Sequence, residues 1–272
     1  MRANQLIIYT DIDGTAVAGK KDNRCIPPNN IKSLQKFLNN GGLVGCASGR
    51  NHLSVDEFFK GFRFNMPYVE ANGAYIYDSD TNKYISKTNI KDDVKKELFE
   101  YCIDKSNLFM TVMNETGTKR IAFHDFRDEL IPDFYRPLIT YDEMMKNDFA
   151  KCALLCINNI SDEIVANIDK FTSKSLFKTS RSAPTYLEII DKDVDKGVGI
   201  KKAIKYKELE EKILVCVGDY FNDIEMLELA DIAICPSNAS EDIKKICDYV
   251  SCDCAHGCLA DTIDYLERLE MQ

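Results

Sequence analysis

Two carboxylates stand two residues apart near the start of the chain, in the segment TDIDGT at 10–15. Gly14 follows them and frees the backbone to turn back, so the side chains of Asp11 and Asp13 are predicted to lie close together. Neighbouring carboxylates repel each other unless a cation lies between them or one of them stays protonated. Both conditions are typical of a site that transfers phosphoryl groups.

A second acidic segment, GDYFND at 218–223, ends an apolar run at Asp219 and places Asp223 four residues later, in the first turn of a predicted helix. The two segments together predict a carboxylate-rich pocket. Such a pocket suits Mg²⁺, which takes hard oxygen ligands in octahedral geometry. For Asp223 alone, the alternative explanation is a charge that complements the dipole of its helix, and both roles can hold at once.

A phosphate can enter such a pocket only if positive charge is nearby, because uncompensated like charges cost several kcal/mol at an effective dielectric constant of about 20. Lys196 in DVDKGVGIKKA is the best side-chain candidate, since it directly precedes a predicted helix. A lone lysine is usually a solvated surface charge. The GVG at 197–199 lacks the third glycine of a dinucleotide-binding motif, and we reject that interpretation.

Three apolar runs predict the scaffold that must position these residues: LIIYTD at 6–11, LVGCAS at 43–48 and ILVCVGD at 213–219. They are continuous rather than alternating, which is typical of parallel strands buried on both faces. An amphipathic helix lies between the first two, so the segment is a strand–helix–strand crossover. We therefore predict an α/β fold with a doubly wound, Rossmann-like parallel sheet.

Ligands of such sheets bind beyond the carboxyl ends of the strands. Asp11, Ser48 and Asp219 each terminate a predicted strand. Each of them could simply cap the turn that follows it. Three such residues from distant parts of the chain are better explained by one shared site.

The middle of the chain is richer in Lys, Asp and Asn, and helix-like stretches alternate there with strand-like ones. This texture indicates an inserted α/β domain whose sheet is covered by helices on one face. We place the inserted domain at residues 84–188 and the core domain at 1–83 and 189–272.

Composition excludes several other classes of protein. The 35 basic and 44 acidic residues give a net charge of −9, which disfavours nucleic acid as a partner. The 11 cysteines lack the spacing of a zinc site, and we expect structural thiols. The chain has no signal-like start and no apolar run of membrane length, so we expect a cytoplasmic protein that does not engage a membrane.

In this order, YTDIDGT, CASGR at 46–50, Lys196 and VGDYFND resemble the four motifs of the haloacid dehalogenase (HAD) superfamily of phosphohydrolases. ANGA at 71–74 and SNA at 237–239 resemble more narrowly its Cof-like subgroup, whose members carry a large inserted α/β cap domain. The resemblance covers the two ends of the chain, whereas the middle matches only in length and texture.

This resemblance implies a role for each matching residue. Asp11 would be the nucleophile and Asp13 the general acid and base. Phosphate would be bound by Ser48, Lys196 and Asn222. Mg²⁺ would be held by Asp11, Asp13 (through its backbone carbonyl), Asp219 and Asp223, the last either as a direct ligand or as a group that orients the metal. The first two residues can differ in role only if the metal lowers one pKa while an apolar, covered position keeps the other carboxyl protonated.

The expected activity is that of a Mg²⁺-dependent phosphatase, which hydrolyses small phosphorylated metabolites such as sugar phosphates or phosphorylated cofactors through an aspartyl-phosphate. A sugar phosphomutase is the enzymatic alternative. A non-catalytic regulator that binds a phosphate ligand on the same fold is the third. The sequence determines neither the particular substrate nor the oligomeric state.

Overall fold

The computed structural model describes residues 1–19, 23–123, 137–157 and 159–270, and it divides into two compact units. The core domain consists of Met1–Ser86 and Asp195–Gln272, and the inserted domain is Lys87–Val194. Both borders lie further along the chain than the 84 and 188 expected from the sequence.

The elements alternate between strands and helices over most of the chain. The described strands are β1 (Leu6–Thr10), β2 (Leu43–Cys46), β3 (Tyr68–Glu70), β4 (Tyr75–Asp78), β5 (Lys83–Lys87), β6 (Leu108–Asn114), β7 (Gly117–Ile121), β8 (Leu138–Ile139), β9 (Lys151–Cys156), β10 (Phe177–Ala183), β11 (Tyr186–Asp191), β12 (Ile213–Val217), β13 (Ile232–Pro236) and β14 (Tyr249–Ser251). The described α-helices are α1 (Pro28–Asn39), α2 (His52–Asp56), α3 (Asp92–Ile103), α4 (Tyr141–Met145), α5 (Asp162–Ile168), α6 (Lys196–Tyr206), α7 (Ile224–Leu229), α8 (Glu241–Lys244) and α9 (Cys258–Glu270).

The core domain is built on a five-stranded sheet in the order β14-β13-β12-β1-β2, and all of its strand pairs are parallel. Successive residues of β1 enter different cores: Ile8 packs with α1 and α9, whereas Ile7 packs with α6 and α7 on the other face. This two-sided burial explains why the strand is apolar at every position. The predicted doubly wound sheet and its β1–α1–β2 crossover are confirmed.

A smaller sheet, β3-β4-β5, whose β3–β4 pair is antiparallel, also belongs mainly to the core domain. Its first strand adjoins the functional loops, because Ala47 forms a bridge with Val69 and the backbone N–H of Ser48 donates to the Val69 carbonyl at 2.9 Å. The end of β2 and the end of β3 are thereby held side by side.

The inserted domain contains a six-stranded sheet in the order β10-β11-β9-β6-β7-β8, antiparallel except for the β7–β8 pair. Side chains from α3, α4 and α5, among them Leu98, Met144 and Ile168, share one apolar core with the strands. The predicted α/β insertion, with helices packed against its sheet, is confirmed.

Glu97 of α3 provides a pH-dependent contact within the inserted domain. Its carboxylate accepts hydrogen bonds from the backbone N–H groups of Thr172 and Ser173, both at 3.0 Å, and from both of their hydroxyls. Burial raises the pKa of Glu97, but these hydrogen bonds together outweigh it and lower the pKa from 4.5 to about 2. The folded state therefore gains stability from Glu97 above pH 4.5 and loses it as the pH falls towards 2.

We expect the Glu97→Gln variant to melt at a lower temperature than the wild type at neutral pH. A glutamine amide has a single oxygen that accepts hydrogen bonds, and its nitrogen only donates, so the bonds to one of the two carboxylate oxygens are lost. The difference in Tm should shrink as the pH falls from 4.5 towards 2. Thermal melts across this range test it, with Glu100→Gln on the same helix as the control. Equal pH dependence of the two variants would contradict the assignment.

The cysteines are all free thiols, as expected from the sequence, and seven of them are buried. No α-helix in the described ranges combines the length and the apolar character that a membrane crossing requires.

Candidate active site

Three strand ends bring the predicted polar residues to one edge of the parallel sheet. Asp11 directly follows β1, and Ser48 and Asp219 each come two residues after their strands, β2 and β12. Because β1 lies between β2 and β12 and is parallel to both, these carboxyl ends adjoin one another. The Asp11 backbone N–H donates to the Val217 carbonyl at 2.8 Å, which ties the first loop to β12.

Lys196 joins two of the acidic residues. Its ammonium Nζ lies 2.6 Å from Asp11 Oδ1 and 2.5 Å from Asp223 Oδ1, and the side chain is fully buried. Lys196 occupies the first position of α6, which is capped by the Asp195 side chain accepting from the Val198 N–H at 2.7 Å. The lysine is thus a rigidly placed buried cation rather than a surface charge.

The other acidic segment is held by its own backbone. Asp223 Oδ2 accepts from the N–H groups of Asp219 and Tyr220 at 2.9 and 3.0 Å, which folds the segment around the carboxylate. Thr15 donates its hydroxyl to Asp219 Oδ1 at 2.7 Å and so links this segment to the loop that contains Asp11. The two acidic segments, separated by about two hundred residues, form one structural unit.

The donor set of this unit fits a divalent metal ion. One carboxylate oxygen from each of Asp11, Asp219 and Asp223 lies within 4.8 Å of the others. These are hard oxygen donors, the type that Mg²⁺ prefers. The Asp13 carboxylate is not in this group, which is compatible with a contribution through its backbone carbonyl alone.

Asp13 is paired with arginine instead. Arg50 donates from Nε to Asp13 Oδ2 at 2.6 Å and from Nη2 to Oδ1 at 2.8 Å, and Arg24 lies 3.5 Å from Oδ1. The guanidinium of Arg50 also lies over the Phe58 ring, 5.0 Å from its centroid. The Asp13 side chain is 41% exposed, so its carboxylate lies at the rim of the site.

The two aspartates of TDIDGT differ in pKa. Burial, together with the charges of Asp223 and Asp219, raises the pKa of Asp11 well above its ordinary value, although Lys196 counteracts this. Burial also raises the pKa of Asp13, but Arg50, with Arg24 and Lys196, outweighs it, and the net pKa lies below the ordinary value. Asp13 is thus paired with Arg50 in this structure, and its protonation with metal and substrate bound stays a prediction.

Asp219 also ionises less readily than an ordinary aspartate. Burial and then the neighbouring Asp223 raise its pKa to about 7. Burial lowers the pKa of Lys196, but Asp11 and Asp223 more than compensate and raise it. The site therefore holds a charged lysine and has a further need for positive charge, as expected of a cation site.

The two remaining predicted residues lie beside this unit. Ser48 is buried, and its Oγ accepts from the Arg50 N–H at 3.3 Å. Asn222 donates from Nδ2 to Asn72 Oδ1 at 3.3 Å. Every residue singled out from the sequence is thus connected to the strand-end loops of the core domain.

Some residues of the site were not predicted to act there. Arg50 and Thr15 lie in CASGR and TDIDGT, where only neighbouring residues were expected to act, and Asn72 lies in ANGA, where no residue was. Asn238 of SNA donates from Nδ2 to the Gly14 carbonyl at 2.8 Å. The resemblance of these segments to family motifs could have indicated all four residues. Arg24 lies in no such segment, and no sequence pattern indicated it.

Gly14 is needed for the close approach of the two acidic segments. Its φ is +86°, and a Cβ there would lie 2.5 Å from Asp219 Oδ2. We expect Gly14→Ala to weaken metal binding and activity by at least about tenfold, because the added methyl group must displace Asp219. The backbone strain, roughly 1–2 kcal/mol, should lower stability as well. Gly61→Ala is the matched control, since its φ is +83° but nothing lies within 4 Å of the added Cβ.

Metal titration and steady-state kinetics of both variants test this prediction. The control should lose stability only. If Gly61→Ala impairs metal binding as much as Gly14→Ala, backbone strain rather than contact with Asp219 is responsible.

Comparisons with known proteins agree with this fold. Residues 8–263 match the haloacid dehalogenase-like hydrolase family. A 5-amino-6-(5-phospho-D-ribitylamino)uracil phosphatase of Bacillus subtilis is 25% identical over 255 residues, covering 90% of this chain and 92% of the relative. A phosphoglycolate phosphatase of Sulfolobus acidocaldarius is 27% identical over 245 residues, covering 90% and 88%.

A solved HAD subclass IIB sugar phosphatase shares the fold, with a TM-score of 0.78 and 22% sequence identity. The match covers 96% of this chain and 98% of that one. This likeness confirms the predicted fold class, a parallel core with an inserted α/β domain.

Proposed function

Because the chain belongs to the haloacid dehalogenase-like hydrolases, we propose that it is a Mg²⁺-dependent phosphatase of small phosphorylated metabolites that acts through an aspartyl-phosphate. The observation that carries the proposal is the buried Lys196, 2.6 Å from Asp11 and 2.5 Å from Asp223, beside a third carboxylate at metal-ligand distance. A purely structural lysine would need no third acid there.

Asp11 is the proposed nucleophile. One of its oxygens attacks the phosphorus of the ester, the bond from phosphorus to the leaving oxygen breaks, and Asp13 gives that oxygen a proton. Water then attacks the phosphorus of the aspartyl-phosphate and passes a proton to Asp13. The bond between Asp11 and phosphorus breaks, and inorganic phosphate leaves.

The ion pair between Asp13 and Arg50 suits the second of these steps. In the pair Asp13 is a carboxylate, the form that accepts a proton from water. In the first step Asp13 must carry a proton, so at least one of the two hydrogen bonds from Arg50 has to open when the substrate binds. Arg50 is therefore a candidate contact for the incoming substrate.

Lys196, Ser48 and Asn222 are the proposed phosphate-binding groups. A buried ammonium and neutral polar groups at the strand ends suit the charge that spreads over the oxygens of the transferred phosphoryl group. Asp11, Asp219 and Asp223, together with the backbone carbonyl of Asp13, would hold Mg²⁺. When bound, the ion supplies positive charge that neutralises the phosphoryl oxygens.

The proposed substrates are phosphate monoesters of sugars, polyols or cofactors. Two relatives are phosphatases of a phosphoribitylamino compound and of phosphoglycolate. Their names support substrates whose organic group is small and either hydroxylated or acidic.

Phosphate release from a panel of such esters tests the proposal. We expect the purified protein to release inorganic phosphate in the presence of Mg²⁺ and to lose this activity in EDTA. An isomerised sugar phosphate without free phosphate would indicate a phosphomutase instead. Binding of esters without any turnover would indicate a regulator, and either result would overturn the proposal.

A further inference from the structure

The turn Ala71–Gly73, which directly follows β3, has an unusual backbone. All three residues have positive φ angles, 50°, 57° and 99°. Only glycine adopts this region readily, and each non-glycine residue there costs roughly 1–2 kcal/mol. Such strain persists where the surrounding structure overdetermines the backbone, which is typical of functional sites.

The backbone of this turn contacts the segments that carry two of the three proposed phosphate-binding groups, Ser48 and Lys196. The Asn72 N–H donates to the Ser48 carbonyl at 2.9 Å, and the Ala71 N–H donates to the Arg50 carbonyl at 3.2 Å. A Cβ on Gly73 would lie 2.0 Å from the carbonyl oxygen of Asp195, the residue that caps α6 just before Lys196. The turn is thus packed between the Ser48 loop and the start of α6.

The base of the turn is fixed by the buried Glu70. Its Oε1 accepts from the His52 backbone N–H at 2.9 Å and lies 2.6 Å from His52 Nδ1, while its Oε2 accepts from the Tyr84 hydroxyl at 3.2 Å. The His52 ring stacks on Tyr77 with centroids 3.8 Å apart. These contacts leave the turn little freedom to relax its strain.

The Asn72 side chain extends the same connection to the third phosphate-binding group. It is 3% exposed, and its Oδ1 accepts from Asn222 Nδ2 at 3.3 Å. An amide nitrogen carries two hydrogens in one plane. With one of them held by Asn72, the plane of the Asn222 amide and the direction of its second N–H are fixed.

We propose that Asn72 is a positioning residue for phosphate binding, which orients the Asn222 amide through its side chain and the Ser48 loop through its backbone. The inference rests on the proposed function of Asn222 and Ser48. It explains why a strained asparagine occupies this turn: asparagine tolerates positive φ better than most residues and also supplies the acceptor that Asn222 needs.

Asn72→Gly separates the two features of the residue, because glycine adopts a φ of 57° without strain while the carboxamide is lost. We expect the dissociation constant of inorganic phosphate, measured by calorimetry with Mg²⁺, to rise about tenfold, the scale of a lost hydrogen bond to a charged group. KM for an ester should rise by a similar factor, with a smaller change in kcat and no fall in Tm. Asn82→Gly, at a φ of 54° in the β4–β5 turn, is the matched control and should leave phosphate binding unchanged.

The double variant Asn72→Gly/Asn222→Ala distinguishes positioning from independent binding. If Asn72 acts through Asn222, the double variant binds phosphate no more weakly than Asn222→Ala alone. If the two substitutions weaken phosphate binding by factors that multiply in the double variant, the inference is overturned. It is also overturned if Asn72→Gly binds phosphate as tightly as the wild type. If Asn72→Gly does not fold, Asn72→Asp replaces it in the test, because aspartate keeps an acceptor at this position. Asn222→Ala should then weaken phosphate binding by the same factor in the wild type and in the Asn72→Asp variant. No effect of Asn222→Ala in the Asn72→Asp variant would likewise overturn it.

These outcomes are separate from a failure of the proposed function. A wild-type protein that hydrolyses no ester would overturn the phosphatase proposal. Calorimetry with inorganic phosphate would still measure the coupling of Asn72 to Asn222 in that case, because it needs no turnover.

Discussion

The Asp11→Asn variant should release phosphate from its ester substrates more slowly than the wild type by roughly 10⁴- to 10⁶-fold in kcat, the range known for loss of a covalent nucleophile. An amide oxygen is a poor nucleophile, and the aspartyl-phosphate cannot form on it. The steric change is small, since only one oxygen is replaced by a nitrogen. The measurement is steady-state phosphate release, together with acid-quenched trapping of the phosphoenzyme, which should be absent from the variant.

The fold of this variant should survive. Burial raises the pKa of Asp11 above the ordinary 3.8, so the ionised carboxylate lowers folding stability increasingly as the pH rises from that value. A neutral amide removes this cost, and Lys196 keeps Asp223 as its partner. We therefore expect a Tm no lower than that of the wild type at neutral pH.

Asp78→Asn is the matched control for the chemical change. Asp78 is also buried in the core domain but pairs with Lys207, 3.1 Å away. It should retain the activity of the wild type. Full activity in Asp11→Asn, or an equal loss in the control, would remove Asp11 from the mechanism.

The second large effect is expected from Lys196→Met. The substitution keeps a long unbranched side chain but leaves Asp11 and Asp223 without their shared cation. Breaking a fully buried ion pair by removing one partner typically costs about 3–5 kcal/mol. We expect a loss of this size in the free energy of unfolding, measured by urea titration in EDTA, and a loss of activity.

Mg²⁺ should recover part of this stability, because a divalent ion beside the same carboxylates replaces some of the missing charge. The gain from Mg²⁺ should therefore be larger in Lys196→Met than in the wild type. Lys207→Met is the control: its partners are Asp78 and Asp80, and its side chain is 22% exposed, so it should lose less stability and gain no more from the ion than the wild type does. An equal response of all three proteins to Mg²⁺ would contradict a metal site at Asp11 and Asp223.

The parallel sheet was predictable from local patterns, because a strand that is buried on both faces has apolar residues at consecutive positions. The strand segments that begin at Leu6, Leu43 and Ile213 are apolar at successive positions, and the structure confirms them as neighbours in one parallel sheet. The haloacid dehalogenase resemblance, drawn from short segments at the two ends of the chain, is confirmed by a family match over residues 8–263.

Long-range pairs were beyond such patterns. Arg50 and Asp13 are 37 residues apart, and nothing in either segment indicates that a guanidinium holds both carboxylate oxygens. The lowering of the Asp13 pKa by Arg50 was therefore not predicted from the sequence. ANGA was likewise noted only for its similarity to the Cof-like subgroup. Its positive φ angles and its hydrogen bond to Asn222 depend on packing, so the sequence did not predict a strained turn there.

The sequence by itself determined which residue types gather at the strand ends, since the chain direction of parallel strands sends their carboxyl termini to one edge. Only the tertiary structure decided how charge is shared there: Lys196 meets Asp11 across 185 residues and Asp223 across 27. Electrostatic energy depends on distance and burial in space, and spacing along the chain specifies neither.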